Sequence, residues 1–582
     1  MRIIKVLAVT LICCMLMAAC QAELYPKSMP GSSNGFRNES FEEDYDVMDK
    51  GPVYGGTLNL FSTPPDSLNP ILTKNKYVAD ALGFIYEGMT RLDRSQRAVP
   101  VLSDKWSVSP DGLIWDFHIR DGVAWQDGEP FTAYDVEFTV KTIMNPRIDT
   151  AYKSLVYNIS TCTAIDSSNI RFALKKPNSF TAEMMTFPVI PRHQFVKQDI
   201  LSASRNFKPV GTGPYSFDSF SGDKEILLSL NNDWWQLKAA GDEKSSGMYI
   251  EKIKINILKR TDDATGLFQA GEVDAACVEA GDLTKYMGRT DVIIKRYTSR
   301  DFEFLAFNLK NRVLDDPYVR KAINMAIDRD EIIAEVLPGE AVAAELPILP
   351  DSWILEGAEN DAAGRTGASH DSTTEDGISA ASAETPKDLL LLGGWKESAQ
   401  GYYKVIDGAR RYLKAELIVN SNNSLRVRAA AKVCEQLKNA GINVELKPVE
   451  WNELMNRLAL SRFDMAFVGC RIPQVPDISY LYSDGYLPSP LTGVDETAYN
   501  VSGYYNPQVD AEIDALFKEY DTGRRKYIFG EIRKKILDDL PYIGLYFLRD
   551  AMVYGKNIRG PLEPDTWNRY NNMAYWYKPG IQ

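Results

Sequence analysis

A mixed α/β fold follows from three features of the sequence. Trp115, Phe117 and Ile119 alternate with Asp116, His118 and Arg120 as in a half-buried strand, and Ile253, Ile255 and Ile257 alternate with polar residues in the same way. Asp316 and Pro317 make an N-cap and N1 pair, after which Val319, Ala322, Ile323, Ala326 and Ile327 recur on one helical face. From Ser424 to Ala440 an amphipathic segment turns Ala430, Val433 and Leu437 inward and stops at Gly441. Ile442, Val444 and Leu446 then alternate, which makes a helix-then-strand unit of an open sheet.

The chain begins with a basic residue pair, Arg2 and Lys5, followed by an uncharged run from Val6 to Ala19. That run is too short to cross a bilayer and has the length of a signal-peptide core, so the chain is expected to be exported. Met17-Ala18-Ala19-Cys20 resembles a bacterial lipobox, in which the cysteine is lipidated and becomes the new N-terminus; the other reading is an ordinary secretory signal cleaved after Ala19. On the first reading residues 1–19 are signal, Cys20 is the anchor on the outer face of the cell membrane, and the protein faces the periplasm if the envelope has two membranes. Residues 20–54, with Pro26, Pro30, Gly31, Gly35 and the acidic run Glu42-Glu43-Asp44-Tyr45-Asp46, read as a flexible tether with a reach of roughly 30 Å.

Order is expected to begin at Gly55-Gly56-Thr57-Leu58, a turn running into a strand. Thr385-Pro386-Lys387-Asp388 starts a second capped helix, which Gly393-Gly394 ends. Residues 356–384 are rich in Ala, Gly, Ser, Thr and Asp, hold Ile378 as their one large apolar side chain, and read as a disordered surface insertion. No repeat of fixed period occurs, which argues against a solenoid or propeller. At 582 residues, 45% hydrophobic and 25% charged, the chain has the composition of a large folded protein in water, and its net charge of −13 disfavours nucleic acid as a partner.

Catalytic signatures are sparse. His118 falls in the alternating strand, His193 follows Pro191 in an expected turn, and His370 falls in the insertion, so no close His pair suggests a metal. Cys162, Cys277, Cys434 and Cys470 are scattered, which leaves room for one disulfide and none for a framework. Gly31-Ser32-Ser33-Asn34-Gly35 matches a nucleophile-elbow pattern inside the tether, where no strand or helix supports it. Gly211-Thr212-Gly213-Pro214 lacks the third glycine of a dinucleotide loop and reads as a tight turn. An exported chain without a catalytic constellation is expected to bind a solute rather than to be an enzyme, with no cofactor.

The ordered set Pro100-Val101-Leu102, Trp106, Pro110-Asp111-Gly112, Trp115 to Val123, Asp127-Gly128-Glu129-Pro130-Phe131-Thr132-Ala133 and Asp135-Val136 resembles bacterial solute-binding proteins of the oligopeptide and dipeptide ABC-importer family. The resemblance continues through Pro209 to Tyr215, Phe268 to Asp274, Asn308, Asp316 to Asn324, Gly394-Trp395, Phe463-Asp464, Tyr504 to Pro507 with Asp510, and Leu540-Pro541, and so covers roughly residues 55–580. Each motif alone is a turn or a core signal; their order over the whole chain is specific.

The resemblance implies a two-lobed periplasmic-binding-protein-like fold of class II, hinged by crossing strands and closing on a ligand. Residues 55–85, 210–305 and 545–582 would form the first lobe, 86–209 an inserted subdomain, and 306–544 the second lobe. It implies a monomer that delivers a peptide or peptide-like solute to an ABC permease and ATPase complex. Carried over by position, the ligand contacts would be Lys74, Asn75, Lys76, Tyr152, Trp451, Gly469, Cys470, Arg471, Tyr546 and Phe547. Trp451 reads equally as a core aromatic, and Cys470 as a buried small hydrophobe with its backbone turned to the ligand.

One position departs from the family. The acidic residue that many members place to meet the ligand's α-ammonium falls on about Pro473, and Asp477 either supplies that carboxylate or is a solvated loop residue. Arg471 would favour an acidic group on the ligand. The alternatives therefore stay open to a non-peptide solute such as an oligosaccharide or metal chelate, to a sensory ligand-presenting protein, and to a surface hydrolase.

Overall fold

Two long strands organise the molecule. β12 (Val292–Phe307) runs 16 residues and β19 (Tyr542–Gly555) runs 14, so at about 3.3 Å per residue β12 extends roughly 50 Å. They pair antiparallel along nearly their whole length, with register shifts between Thr298 and Phe302 and between Glu303 and Phe304. On one side of those shifts β19 also holds β11 (Ala275–Val278); on the other, β12 holds β18 (Met465–Arg471). β16 (Lys414–Asn420) and β17 (Asn443–Val449) follow, and β13 (Ala341–Ala343) pairs with β19, completing a seven-stranded sheet of order β11-β19-β12-β18-β16-β17.

The computed structural model describes residues 51–579 except 197–198, 204–206, 223, 241–246, 262–263, 357–384 and 489–498. Residues 51–582 form one compact unit. The signal segment, Cys20, the tether as far as residue 50, His370 and the insertion from residue 357 lie outside the described residues. Glu356, the first residue of the expected insertion, is part of the folded unit and meets Arg97 and Lys526. Among the described residues no helix is long and apolar enough to cross a membrane.

A four-stranded sheet joins β1 (Thr57–Ser62) parallel to β10 (Lys252–Ile257), then β9 (Glu225–Leu230) and β8 (Tyr215–Phe220). Between β1 and β8 the chain leaves to build a separate antiparallel sheet of β4 (Ser103–Val108), β5 (Ile114–Ile119), β6 (Ile159–Ala164) and β7 (Asn169–Leu174), with a short ribbon of β2 (Thr90–Leu92) and β3 (Ala98–Pro100). Departure and return lie side by side: Gly213 N donates to Ile85 O at 2.8 Å and Tyr215 N to Phe84 O at 3.0 Å. A Cβ on Gly211 would sit 1.8 Å from Ile85 O, so Gly211-Thr212-Gly213 is a place of close backbone approach.

The sequence patterns find their physical places. In β5, Trp115, Phe117 and Ile119 are buried while the residues between them are partly exposed. Asp316 caps the helix Pro317–Ala326 by accepting from Tyr318 N, and Thr385 opens the helix Pro386–Leu392 with a capping box closed by Asp388. The helix Ser424–Asn439 buries Ala430, Val433 and Leu437 against the large sheet. A last ribbon, β14 (Tyr403–Ile406) with β15 (Ala409–Tyr412), stands outside the sheets. His193 lies in the short helix Arg192–Phe195 instead of a turn, because Pro191 supplies the extended N-cap backbone that starts a helix. All four described cysteines are free thiols.

Candidate ligand-binding site

β16, β17 and β18 are parallel to one another, so their carboxyl ends at Asn420, Val449 and Arg471 lie along one rim of the sheet, the rim at which open α/β sheets hold ligands. β18 is only partly paired there. Ile472 N donates to Arg300 O, which fixes the alternation: even-numbered residues of β18 turn their backbone groups to β12, and Phe467, Gly469 and Arg471 turn theirs the other way. β16 reaches only as far as Phe467, opposite Val419. Gly469 and Arg471 therefore present backbone groups past the end of β16, where the Gly469 carbonyl accepts from the Tyr499 hydroxyl at 2.9 Å.

Side chains around this edge explain its residues. Arg426 grips Glu303 through Nε and Nη2 at 2.7 and 2.6 Å, with Glu303 buried and Arg426 largely so beside Gly469. A Cβ at Gly469 would meet Glu303 Oε1 at 2.4 Å and Arg426 Nη2 at 2.7 Å, so the buried ion pair requires glycine. Cys470 is buried with Sγ 3.7 Å from the Tyr480 hydroxyl, and burial pushes its thiol up to about 12. The Arg471 side chain is 59% exposed and only loosely engaged, 3.7 Å from Asp301. Trp451 starts the helix Trp451–Ala459 just past β17, and at 44% exposure it is not a core aromatic.

Facing this rim, the helix Lys76–Leu82 begins with Asn75 as its cap. Asn75 is committed to structure: its oxygen accepts from Tyr77 N and its amide donates to Thr63 Oγ1 and Pro64 O. Lys74 pairs with Asp149 and Lys76 with Glu279. One turn on, Asp80 accepts from Arg569 Nη1 at 2.5 Å, and burial raises its carboxyl despite the nearby Arg569, Lys76 and Arg471 cations. Tyr152 is drawn to the same place, its hydroxyl pushed up to about 12 by burial and then by the Asp80 charge. Asp80 and Arg569, with Arg91, Trp234, Trp567 and Tyr570, line a cavity of about 680 Å³ whose walls come from residues 79–248 and 566–575 and not from β16, β17 or β18.

Asp477 is half-buried, with Oδ1 accepting from Ser479 N at 2.8 Å. Burial raises its carboxyl, and the hydroxyl of Tyr157, which comes from the 86–209 segment, is raised by burial and then by the Asp477 charge. Tyr546 and Phe547 have buried side chains: they are 2% and 0% exposed, Phe547 packs its ring 5.0 Å from Phe302, and Tyr546 neighbours the Glu303–Arg426 pair. The reason is their register opposite Glu303 and Phe302 in mid-sheet. Sequence reasoning missed Asp80, Arg569, Tyr157 and Tyr499. Asp80 looks like the solvent face of a helix, and the others carry no local signal.

Two groups of sheets joined by crossing strands, with the Asp80 carboxyl of one brought within electrostatic reach of Arg471 at the rim of the other, make a two-lobed binding protein of the periplasmic type. The chain belongs to the bacterial extracellular solute-binding proteins, family 5: the model of the middle region of that family matches residues 97–487. It is 24% identical over 539 residues to the oligopeptide-binding protein AppA of Bacillus subtilis, covering 90% of this chain and 92% of that protein. The structure of the B. subtilis protein with a nonapeptide superposes with a TM-score of 0.58 at 22% identity, over 91% of this chain and all of that one. NikZ of Campylobacter jejuni, solved with Ni(L-His), superposes at 0.61 and 22% identity over the same shares. Such relatives are extracytoplasmic transport proteins of ABC importers, not enzymes.

Proposed function

We propose that this chain captures a peptide or peptide-like solute between its lobes and hands it to an ABC permease, held at the membrane as a monomer through lipidated Cys20. The observation that carries the reading is the stretch of β18 that runs past the end of β16, where Tyr499 takes up only the Gly469 carbonyl. Gly469 and Arg471 offer backbone groups to an extended main chain, which gives affinity without regard to ligand sequence. Arg471, Lys74 and Lys76 supply positive charge, and Asp80, Asp301 and Asp477 negative charge, a combination suited to a zwitterion. Trp451 would cover the far end of the rim. Residues 55–85, 210–305 and 545–582 act as the first lobe, 86–209 as its inserted subdomain and 306–544 as the second.

The test is native mass spectrometry on residues 21–582 purified without lipid, followed by denaturing release of whatever is bound. A spread of short peptides is the expected result. A single non-peptide mass would keep the family and overturn the peptide reading, moving the function to that solute.

A further inference from the structure

Away from the ligand rim, the 86–209 segment meets the 306–544 segment a second time. The outside of this contact is well made: Ser179 N donates to Phe517 O at 2.8 Å, Trp353 N to Ser95 O at 3.0 Å, and Thr186 Oγ1 to Gln474 Oε1 at 2.9 Å. Its centre is not. Glu183 and Arg525 enter from opposite sides and are 8% and 6% exposed, yet among the described residues no ion pair joins them. Arg525 Nε and Nη2 are buried without a hydrogen-bond partner, as are Trp353 Nε1, Ser352 Oγ and Gln96 Oε1. The guanidinium lies 4.1 Å from the Phe180 ring and 4.6 Å from that of Trp353.

Stacking on two rings returns only part of what an arginine loses on leaving water, and the Glu183 carboxylate, its foremost opposite charge but out of ion-pair contact, returns a further part without making up the whole. Were the two segments to part, both charges and all the orphaned polar atoms would be hydrated. We infer that Glu183 and Arg525 oppose closure of the lobes, so that the empty protein rests open and ligand affinity is set partly by residues the ligand never touches. This rests on the hinge reading given above, since the contact must break and re-form with ligand for the charges to matter. Apparent affinity falls by the fraction of molecules in the closed state.

Removing both charges together relieves the opposition, because apolar residues of similar size tolerate burial better than an incompletely compensated pair; removing one takes away the compensation the other has. Small-angle scattering of residues 51–582 without ligand, and during titration with casein-derived peptides, reads both states. Glu183→Leu with Arg525→Met is expected to shift the empty protein toward the contracted form and tighten peptide binding by roughly tenfold or more, whereas Arg525→Met alone weakens it. A double variant that binds more weakly than the parent would make the contact a latch and overturn the inference. So would a parent that contracts with peptide beside a double variant of unchanged size and affinity, which leaves the proposed function intact. A parent that never contracts overturns the hinge and the inference together. If the double variant does not melt cooperatively, Glu183→Gln with Arg525→Gln removes the same charges with less change in packing, and the same outcomes apply.

Discussion

Gly469 carries two demands in one residue: it presents backbone to the cleft, and it leaves room for a buried ion pair on its other face. Gly469→Ala would push a methyl group to within 2.4 Å of Glu303 Oε1, and overpacking of this kind costs about 1–3 kcal/mol. The expected result is a lower urea midpoint together with weaker peptide binding, measured by denaturation and calorimetric titration. A second residue gives the molecule a pH dependence. Glu87 accepts from the indole N–H groups of Trp235 at 3.0 Å and Trp234 at 3.3 Å, and burial pushes its carboxyl up to about 7. A carboxyl whose folded pKa exceeds its unfolded value binds more protons when folded, so its contribution to stability is present at low pH and lost as pH rises from about 4.5 to about 7. Glu87→Gln, which keeps an acceptor for the indoles, is expected to remove that decline from melting temperatures measured between pH 5 and pH 8.

At the scale of elements, legibility followed locality. Helix starts were readable because Asp316-Pro317 and Thr385 with Asp388 carry their caps within four residues. β5 and β10 were readable because one face of each is buried and the other is not. The crossing strands were not, since nothing in Val292–Phe307 announces that one strand serves two parts of a sheet; that is decided by pairing with β19 some 250 residues away. The site divides the same way. Gly469 and Arg471 follow from the family resemblance, whereas Asp80 and Tyr157 acquire their charged neighbours Arg471 and Asp477 only through tertiary structure. Segment 356–384 reads as having nothing to bury, and its flanks in the structure are self-sufficient: Glu356 is tied by Arg97 and Lys526, and Thr385 caps its own helix. Deleting 358–384 is therefore expected to leave a single cooperative melting transition within a few degrees of the parent. A broad or early transition would show that the segment is part of the core.

For the whole molecule the question is where it works. The proposed anchoring would rest on Cys20, and the folded unit from residue 51 contributes no membrane-spanning helix among its described residues. Cys20→Ala should move the protein from the detergent phase to the aqueous phase in a Triton X-114 partition while leaving its melting temperature and peptide affinity unchanged. Retention in the detergent phase would refute the lipid anchor.

The open end of β18 bears on solubility as well as on ligand. An unpaired strand edge is a template on which other chains misassemble, and any chain is exposed to that hazard each time it folds. Here the template is kept short and spoiled at its limits. Arg471 puts a charge on it, the Tyr499 hydroxyl occupies one of its carbonyls, and Pro473 and Pro476, which lack backbone N–H groups, follow within a few residues. The guest proposed above needs only a few residues of such an edge, while a second copy would find its extension along it interrupted.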